Sequence, residues 1–111
     1  MIEQRRAKRF ELKLPVEVVR RNFQPASGTG VTRNLSAGGV LFTSEVDVGV
    51  GDPIEYIITF PTHSVNGGSV NLRCLGKVLR LREESSASAG RARSFVVAAT
   101  LERYEFLREK P

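Results

Sequence analysis

Alternation of apolar and polar residues near the start of the chain predicts a first strand. In residues 10–19 alternate positions carry apolar side chains of one parity, and charged ones such as Lys13 and Glu17 fall on the other. A period of two over this length is typical of a half-buried β-strand. Pro15 has no backbone N–H to donate, so we expect this strand to lie at a sheet edge or to break there. The apolar positions are Leu12, Leu14, Val16 and Val18.

Similar segments recur along the rest of the chain, separated by turn-forming residues. Residues 22–30 and 49–53 are rich in Gly, Pro and Ser and predict turns, and Asn66-Gly67 predicts a hairpin turn. In residues 70–81 the apolar parity switches near Gly76, which predicts a bulge or bend. Residues 83–92 are poor in apolar side chains and are expected to form a loop. The further predicted strands are residues 31–34, 40–43, 54–60, 70–81 and 93–101.

About six short strands without intervening helices predict an all-β fold, either a barrel or a sandwich. Closure into a six-stranded antiparallel β-barrel is the expected solution, because it removes exposed sheet edges. Residues 102–110 are rich in helix formers and predict a short C-terminal helix that docks through Tyr104, Leu107 and Phe106. We therefore expect a flexible basic arm at residues 1–9 and a β-barrel domain at residues 10–111.

Composition narrows the class of protein. The 111 residues suffice for one domain, and 41% hydrophobic with 26% charged residues is typical of a globular chain. No apolar stretch approaches the roughly 20 residues of a membrane span, and no secretory signal is visible, so we expect a cytoplasmic protein. Cys74 and His63 are the only cysteine and histidine. We expect no disulfide, no metal and no cofactor, and we expect Cys74 to pack as a small hydrophobic residue.

Positive charge is concentrated at the N-terminus. The net charge is +5, and residues 1–21 carry seven basic and three acidic side chains, which gives +4 for that segment alone. Its densest part is Arg5-Arg6-Ala7-Lys8-Arg9. Such a segment favours an anionic partner, for example a phosphate, a nucleic acid or an acidic lipid, although a solvated tail has the same composition.

Two short patterns carry candidate chemistry. Arg5 and Arg9 are four residues apart in the arm, and Asn34-Leu35-Ser36-Ala37-Gly38-Gly39 forms a turn sequence between two predicted strands. The planar guanidinium of arginine can donate two parallel hydrogen bonds to a phosphate or to a guanine edge, and it can stack on a base. The Asn34 amide suits a base edge, the Ser36 side chain supplies a hydroxyl, and the glycines allow close backbone approach or a positive φ.

These patterns resemble the PilZ domain, a family of bacterial receptors for the second messenger cyclic di-GMP that combines an Arg-x-x-x-Arg arm with an Asp/Asn-x-Ser-x-x-Gly turn. The resemblance extends over essentially the whole chain, through Leu-Pro-Val after the arm and Gly-Lys-Val before the late strands. It implies a split-barrel domain that binds cyclic di-GMP and signals to a protein partner in motility, pilus, exopolysaccharide or biofilm control. The residues that match the family's binding motifs are Arg5, Arg9, Asn34, Ser36 and Gly39.

Neighbouring residues are further candidates for ligand contact. Arg6 and Lys8 would assist electrostatically, and Gly38 would let the backbone approach a ligand. Arg33 is either another ligand contact or an exposed strand residue. A solvated basic face is the preferred interpretation of Lys77, Arg80 and Arg82, and His63 is interpreted as an inert surface residue.

Other functions are weighed against this interpretation. We expect no enzyme, because the sequence offers no plausible nucleophile with a base, catalytic carboxylate pair or metal site. A small basic β-barrel for single-stranded nucleic acid would need exposed stacking aromatics, whereas the chain has no tryptophan, two tyrosines and six phenylalanines. A PilZ-like adaptor that binds no ligand is a further alternative. The sequence leaves open the downstream partner, the number of cyclic di-GMP molecules bound and ligand-dependent dimerisation.

Overall fold

Seven antiparallel strands, and no helix, make up the part of the chain that the structure describes. The structure is a computed structural model that describes residues 12–61, 68–85 and 94–108. The strands are β1 (Pro15–Arg21), β2 (Gln24–Leu35), β3 (Gly39–Ser44), β4 (Pro53–Pro61), β5 (Ser69–Ser85), β6 (Ser94–Thr100) and β7 (Arg103–Arg108).

Six of the strands close into a barrel. Their order around it is β1-β2-β3-β6-β5-β4, and the pairing of β4 with β1 completes the ring. The six-stranded antiparallel β-barrel is therefore confirmed. Alternate residues of each strand point inward, as the period of two requires. The buried hydrophobic residues include Val16, Val18, Val40, Phe42, Ile54, Tyr56, Ile58, Leu72, Cys74, Val78, Phe95 and Val97.

Two aromatic rings and a buried thiol mark the centre of this core. Phe42 and Tyr56 stack with ring centroids 5.3 Å apart. The Tyr56 hydroxyl donates a hydrogen bond of 3.0 Å to the Thr100 carbonyl, and burial raises its pKa well above the ordinary value. Burial also raises the pKa of the Cys74 thiol to about 12, as expected for a cysteine that packs as a hydrophobic residue.

The predicted C-terminal helix is wrong, because that segment forms the strand β7. It pairs antiparallel with the first half of β5, from Leu75 opposite Arg103 to Val70 opposite Arg108. β6 pairs with the second half of the same strand, so β6 and β7 form successive parts of one run along β5. The backbone groups of β5 beyond the end of β6 need hydrogen-bond partners, and supplying them outweighs the helix propensity of the segment.

The beginning of the barrel also differs from the sequence prediction. β1 starts at Pro15 and is paired on both sides, with β2 and with β4, so it is not an edge strand. Pro15 is accommodated because a proline is tolerated at the first residue of a strand. The turn predicted over residues 22–30 shrinks to Asn22 and Phe23, whose φ angles of 53° and 68° are those of a tight hairpin.

The glycines in residues 22–30 allow neighbouring segments to approach the backbone closely. Composition alone does not distinguish this role of glycine from a role in turns. Gly30 lies so close to the neighbouring strand that an added Cβ would stand 1.8 Å from the Thr43 carbonyl oxygen. Gly76 has the same role, with an added Cβ 1.9 Å from the Thr100 carbonyl oxygen. Both positions therefore exclude any side chain.

The irregularity predicted in the fifth strand is present but lies further along. The register of β5 against β6 shifts between Val78 and Arg80. The extra residue is therefore Leu79, three positions after Gly76, near which the irregularity was expected. β5 then continues to Ser85, into the segment for which a loop was predicted. The remainder of that predicted loop, residues 86–92, and the predicted Asn66-Gly67 turn lie outside the described residues.

Candidate functional site

The turn between β2 and β3 is closed by its own hydrogen bonds. The Ser36 backbone N–H donates to the Gly39 carbonyl at 3.0 Å, and the Ser36 hydroxyl donates to the same oxygen at 3.3 Å. An added Cβ on Gly39 would stand 3.0 Å from the Ala99 carbonyl, whereas one on Gly38 would meet nothing within 4 Å. Neither glycine has a φ in the left-handed region, so close approach is what Gly39 provides.

A bulge at the end of β2 places two consecutive side chains on the outer face. Thr32 is opposite Phe42 and Asn34 is opposite Leu41, so Arg33 is the extra residue. A bulge of this kind lets the extra residue and its successor point to the same side of a sheet. Arg33 and Asn34 consequently both border the outside of the barrel.

A second bulge does the same on β5. Val78 is opposite Ala99 and Arg80 is opposite Ala98, which leaves Leu79 as the extra residue. Leu79 is 54% exposed, and both it and Arg80 face outward. Two bulges, on strands that are not neighbours, therefore direct side chains towards the two strands that lie between them.

These side chains border a feature that we name the basic groove, which crosses the outer face of β2, β3, β6 and β5. It consists of two adjoining depressions of about 480 and about 170 Å³. The smaller depression adjoins the turn and is bordered by Asn34, Ser36 and Gly39. Both depressions share an apolar floor and one arginine: Leu41, Leu79, Ala98 and Arg80. The larger depression is also bordered by Arg33, Val50, Leu81, Arg82 and Val96.

The electrostatics of the basic groove favour an anion. Among the described residues no aspartate or glutamate lines either depression, and neither Arg80 nor Arg82 forms an ion pair. Arg33 is paired with Glu84 through one guanidinium nitrogen, Nη2, at 2.7 and 2.8 Å from the two carboxylate oxygens. In the same described ranges the Asn34 amide makes no side-chain hydrogen bond and is available to a ligand.

Residues 12–14, which follow the predicted arm in sequence, are attached next to the basic groove. The buried Thr32 hydroxyl donates to the Leu12 carbonyl at 2.5 Å and accepts from the Leu14 N–H at 2.9 Å. The Thr32 N–H donates to the Leu14 carbonyl at 2.8 Å. Residues 12–14 are thus held against β2 two positions before Asn34.

The structure brings some of the predicted site residues together. Asn34, Ser36 and Gly39 border one depression, and Arg33 borders the other, across the shared floor. Gly38 is exposed at the tip of the turn. The remaining candidates lie outside the described residues, namely Arg5, Arg6, Lys8 and Arg9. His63 also lies outside them.

Sequence reasoning missed three residues of this site. Arg80 and Arg82 border the basic groove, whereas they were interpreted from the sequence as part of a solvated basic face. Lys77, the third residue of that predicted face, does not border the groove. The parity switch in β5 was the available signal, because a bulge changes which residues face outward. The anchoring role of Thr32 had no signal in the sequence, since its partners are Leu12 and Leu14, across a non-local strand pairing.

The comparison with protein families agrees with the motifs. The family model of the PilZ domain matches residues 3–98, and the chain belongs to this family of ligand-binding receptor and adaptor domains. A search of curated proteins finds no match.

Two kinds of feature are absent from the described ranges. No helix there is long and apolar enough to cross a membrane. No group of three or more histidine, cysteine, aspartate or glutamate side chains that could hold a metal ion occurs in residues 12–61, 68–85 and 94–108.

Proposed function

We propose that this chain is a receptor for cyclic di-GMP that binds the dinucleotide in the basic groove. One observation carries the proposal: the Asn34, Ser36 and Gly39 turn of the family motif opens onto a groove that is lined by arginines and, among the described residues, by no carboxylate. Membership of the PilZ family supplies the ligand class.

The chemistry of the basic groove suits the two parts of this ligand. Two phosphodiesters carry about two negative charges, and Arg33 and Arg80 stand on opposite walls to receive them. The guanine faces need an apolar surface, which Leu41, Leu79 and Ala98 provide between these walls. The combined space falls within the roughly 300–1,000 Å³ usual for sites that bind small molecules.

The anchored segment supports a contribution from the arm. Arg9 precedes Leu12 by three residues, and three extended residues span about 10 Å. Because Leu12 is bound at Thr32, beside Arg33 and Asn34, this reach extends over the adjoining depression. We propose that Arg5 and Arg9 bind the phosphates and guanine edges from above, with Arg6 and Lys8 adding attraction at longer range.

The distribution of aromatic side chains weighs against single-stranded nucleic acid as the ligand. In the described ranges the exposed aromatics are Phe23, at the β1–β2 hairpin, and Tyr104 and Phe106, on β7. None of them borders the basic groove. A groove that binds single strands non-specifically uses aromatic stacking platforms along a basic path, and here the two features are separated.

The receptor would signal through a protein partner. An arm that closes over the ligand creates a new surface next to the 34–39 turn, which a downstream protein in a bacterial cytoplasm can recognise. Control of motility, pili, exopolysaccharide or biofilm formation is the expected output. No catalytic step is proposed, and no cofactor other than the bound messenger.

Titration calorimetry tests this function. We expect cyclic di-GMP to bind, and GTP and a linear guanosine dinucleotide to bind much more weakly. Arg5→Ala and Arg9→Ala should each weaken binding by roughly 1–3 kcal/mol, the scale of one bidentate arginine contact. The matched control is Arg20→Ala, which removes an arginine from β1 away from the groove.

Three results would contradict the proposal: no heat with cyclic di-GMP, equal affinity for the controls, or losses in Arg20→Ala as large as those in the arm variants. Native mass spectrometry on the same samples counts the ligands bound and detects a ligand-dependent dimer. Steep salt dependence with an oligonucleotide, and no response to cyclic di-GMP, would favour the nucleic-acid alternative.

A further inference from the structure

The ion pair between Arg33 and Glu84 joins two strands that are not neighbours. Arg33 lies on β2 and Glu84 lies on β5, and β3 and β6 separate these strands in the sheet. Three inter-strand spacings amount to about 14 Å, which the two extended side chains can span only by meeting over the strands between them. The pair therefore links two strands that both contribute residues to the basic groove.

The floor below this pair is covered. Val96 faces outward, since it pairs with Thr43 and Arg82 on the outer face, and it lines the larger depression together with Arg33. Only 7% of Val96 is exposed. This is the exposure of an apolar side chain covered by its neighbours, and Arg33, one partner of the ion pair, lines the same depression.

Glu84 contacts Nη2 of Arg33, the nitrogen that takes part in both bidentate binding modes of a guanidinium. A guanidinium offers two donor forks, Nε with Nη2 and Nη1 with Nη2, and each fork can grip a phosphate through two parallel hydrogen bonds. Nη2 belongs to both forks, and the two Glu84 oxygens contact Nη2. A phosphate that is to bind Arg33 through the Nη2 hydrogen that Glu84 engages must take the place of this carboxylate.

We propose that Glu84 is an affinity-setting residue that competes with the phosphate of the ligand for Arg33. The inference rests on the proposed function and deepens it, because it states how the same groove is regulated by its own carboxylate. The ion pair is accessible to exchange, since both side chains are more than one-third exposed. Two-pronged binding by Arg33 competes with Glu84 for Nη2, so part of its attraction for the ligand is spent on releasing Glu84.

Glu84→Gln tests the competition directly. Removing the charge while keeping the shape should tighten cyclic di-GMP binding by roughly two- to fivefold, the range expected for an exposed ion pair. The matched control is Glu17→Gln, which changes the net charge equally on the exposed face of β1, where Glu17 forms no ion pair with a described residue. Equal affinities for the two variants, or weaker binding in Glu84→Gln, would overturn the proposal.

A double-mutant cycle assigns the effect to Arg33. Arg33→Ala should cost little in the native background, because the variant loses a contact that Glu84 already occupies, and more in the Glu84→Gln background. The tightening caused by Glu84→Gln should disappear when Arg33 is alanine. If it persists, Glu84 acts on another groove residue and the assignment to Arg33 is wrong.

A second measurement does not depend on the messenger. The Arg33 Nε–H signal is followed by NMR during titration with inorganic pyrophosphate, which presents the same kind of oxygens. It should shift at lower pyrophosphate concentration in Glu84→Gln than in Glu17→Gln, and identical curves would overturn the competition. Failure of the proposed function is a different result, namely no heat with cyclic di-GMP in the native chain.

Discussion

Two faces of the barrel carry arginines, and they differ in what those arginines contact. We name the outer face of β1, β4, β7 and the first half of β5 the paired face. There, Glu55 lies 2.5 Å from Arg73 and 3.8 Å from Arg20. Arg73 also contacts Glu105 at 3.1 Å, and its hydrogen bond with Glu55 raises its pKa above the ordinary value. In the basic groove, within the described residues, Glu84 is the one carboxylate that contacts an arginine.

This difference shows why the count of basic residues along the chain is a poor guide to a binding site. Arg20 and Arg21 belong to the strongly basic first 21 residues, yet in the fold they lie on β1 near Glu55 and Asp52. Arg80 lies outside that N-terminal segment and borders the candidate site without an ion-pair partner among the described residues. Whether carboxylates face an arginine, more than where it occurs in sequence, decides its availability to an anion.

The largest expected effect compares one arginine from each face. Arg80→Ala should weaken cyclic di-GMP binding roughly tenfold or more, the scale of one good arginine contact, because this side chain borders both depressions. Arg73→Ala removes the same chemical group from the paired face and should leave affinity unchanged. Calorimetry on both variants decides, and equal losses would erase the distinction between the faces.

Folding stability should show the reverse comparison. Glu55→Ala leaves Arg20 and Arg73 without this carboxylate and should lower the melting temperature by roughly 4–8 °C. Glu84→Ala breaks one exposed ion pair in the groove and should shift it by no more than about 2 °C. Thermal unfolding followed by circular dichroism measures both. A larger loss for Glu84→Ala would mean that the groove pair serves the fold.

The smallest expected effect is the salt dependence of cyclic di-GMP affinity that the groove arginines cause. Raising sodium chloride from 50 to 500 mM, proposed experimental concentrations, should weaken cyclic di-GMP binding by roughly threefold, because screening shortens the reach of the groove arginines. The affinity of Arg80→Ala should fall less over the same range, since one of those charges is gone. Binding that ignores salt in both proteins would argue against arginine–phosphate contacts in the groove.

The predictions from sequence succeeded where the signal was local. Alternation at Val16 and Val18 predicted β1, and the turn chemistry of Ser36 and Gly39 predicted the connection between β2 and β3. The PilZ resemblance implies a ligand contact for Asn34, which stays a prediction, and the structure shows that this residue borders a depression. Each of these features depends on residues close together in the chain, so a single sequence contains the relevant information.

The predictions failed where a distant strand decided the outcome. Residues 103–108 form β7 because β5 offers backbone groups that need partners, and the helix propensity of the segment does not reveal this. Gly30 looked like part of a turn because its tight contact is with Thr43, on the neighbouring strand β3. The bulge at Leu79 was predicted near Gly76. The alternation of apolar residues shows that the parity changes, but it does not fix the residue at which it changes.

By itself, the sequence determined that this protein is a β-barrel of the PilZ family with a turn between β2 and β3. The tertiary structure decided which arginines face that turn and which are neutralised on the opposite side. The physical reason is that alternation and turn formation are properties of neighbouring residues, whereas bulge positions, strand order and ion pairs such as Arg33 with Glu84 depend on residues brought together only when the barrel closes.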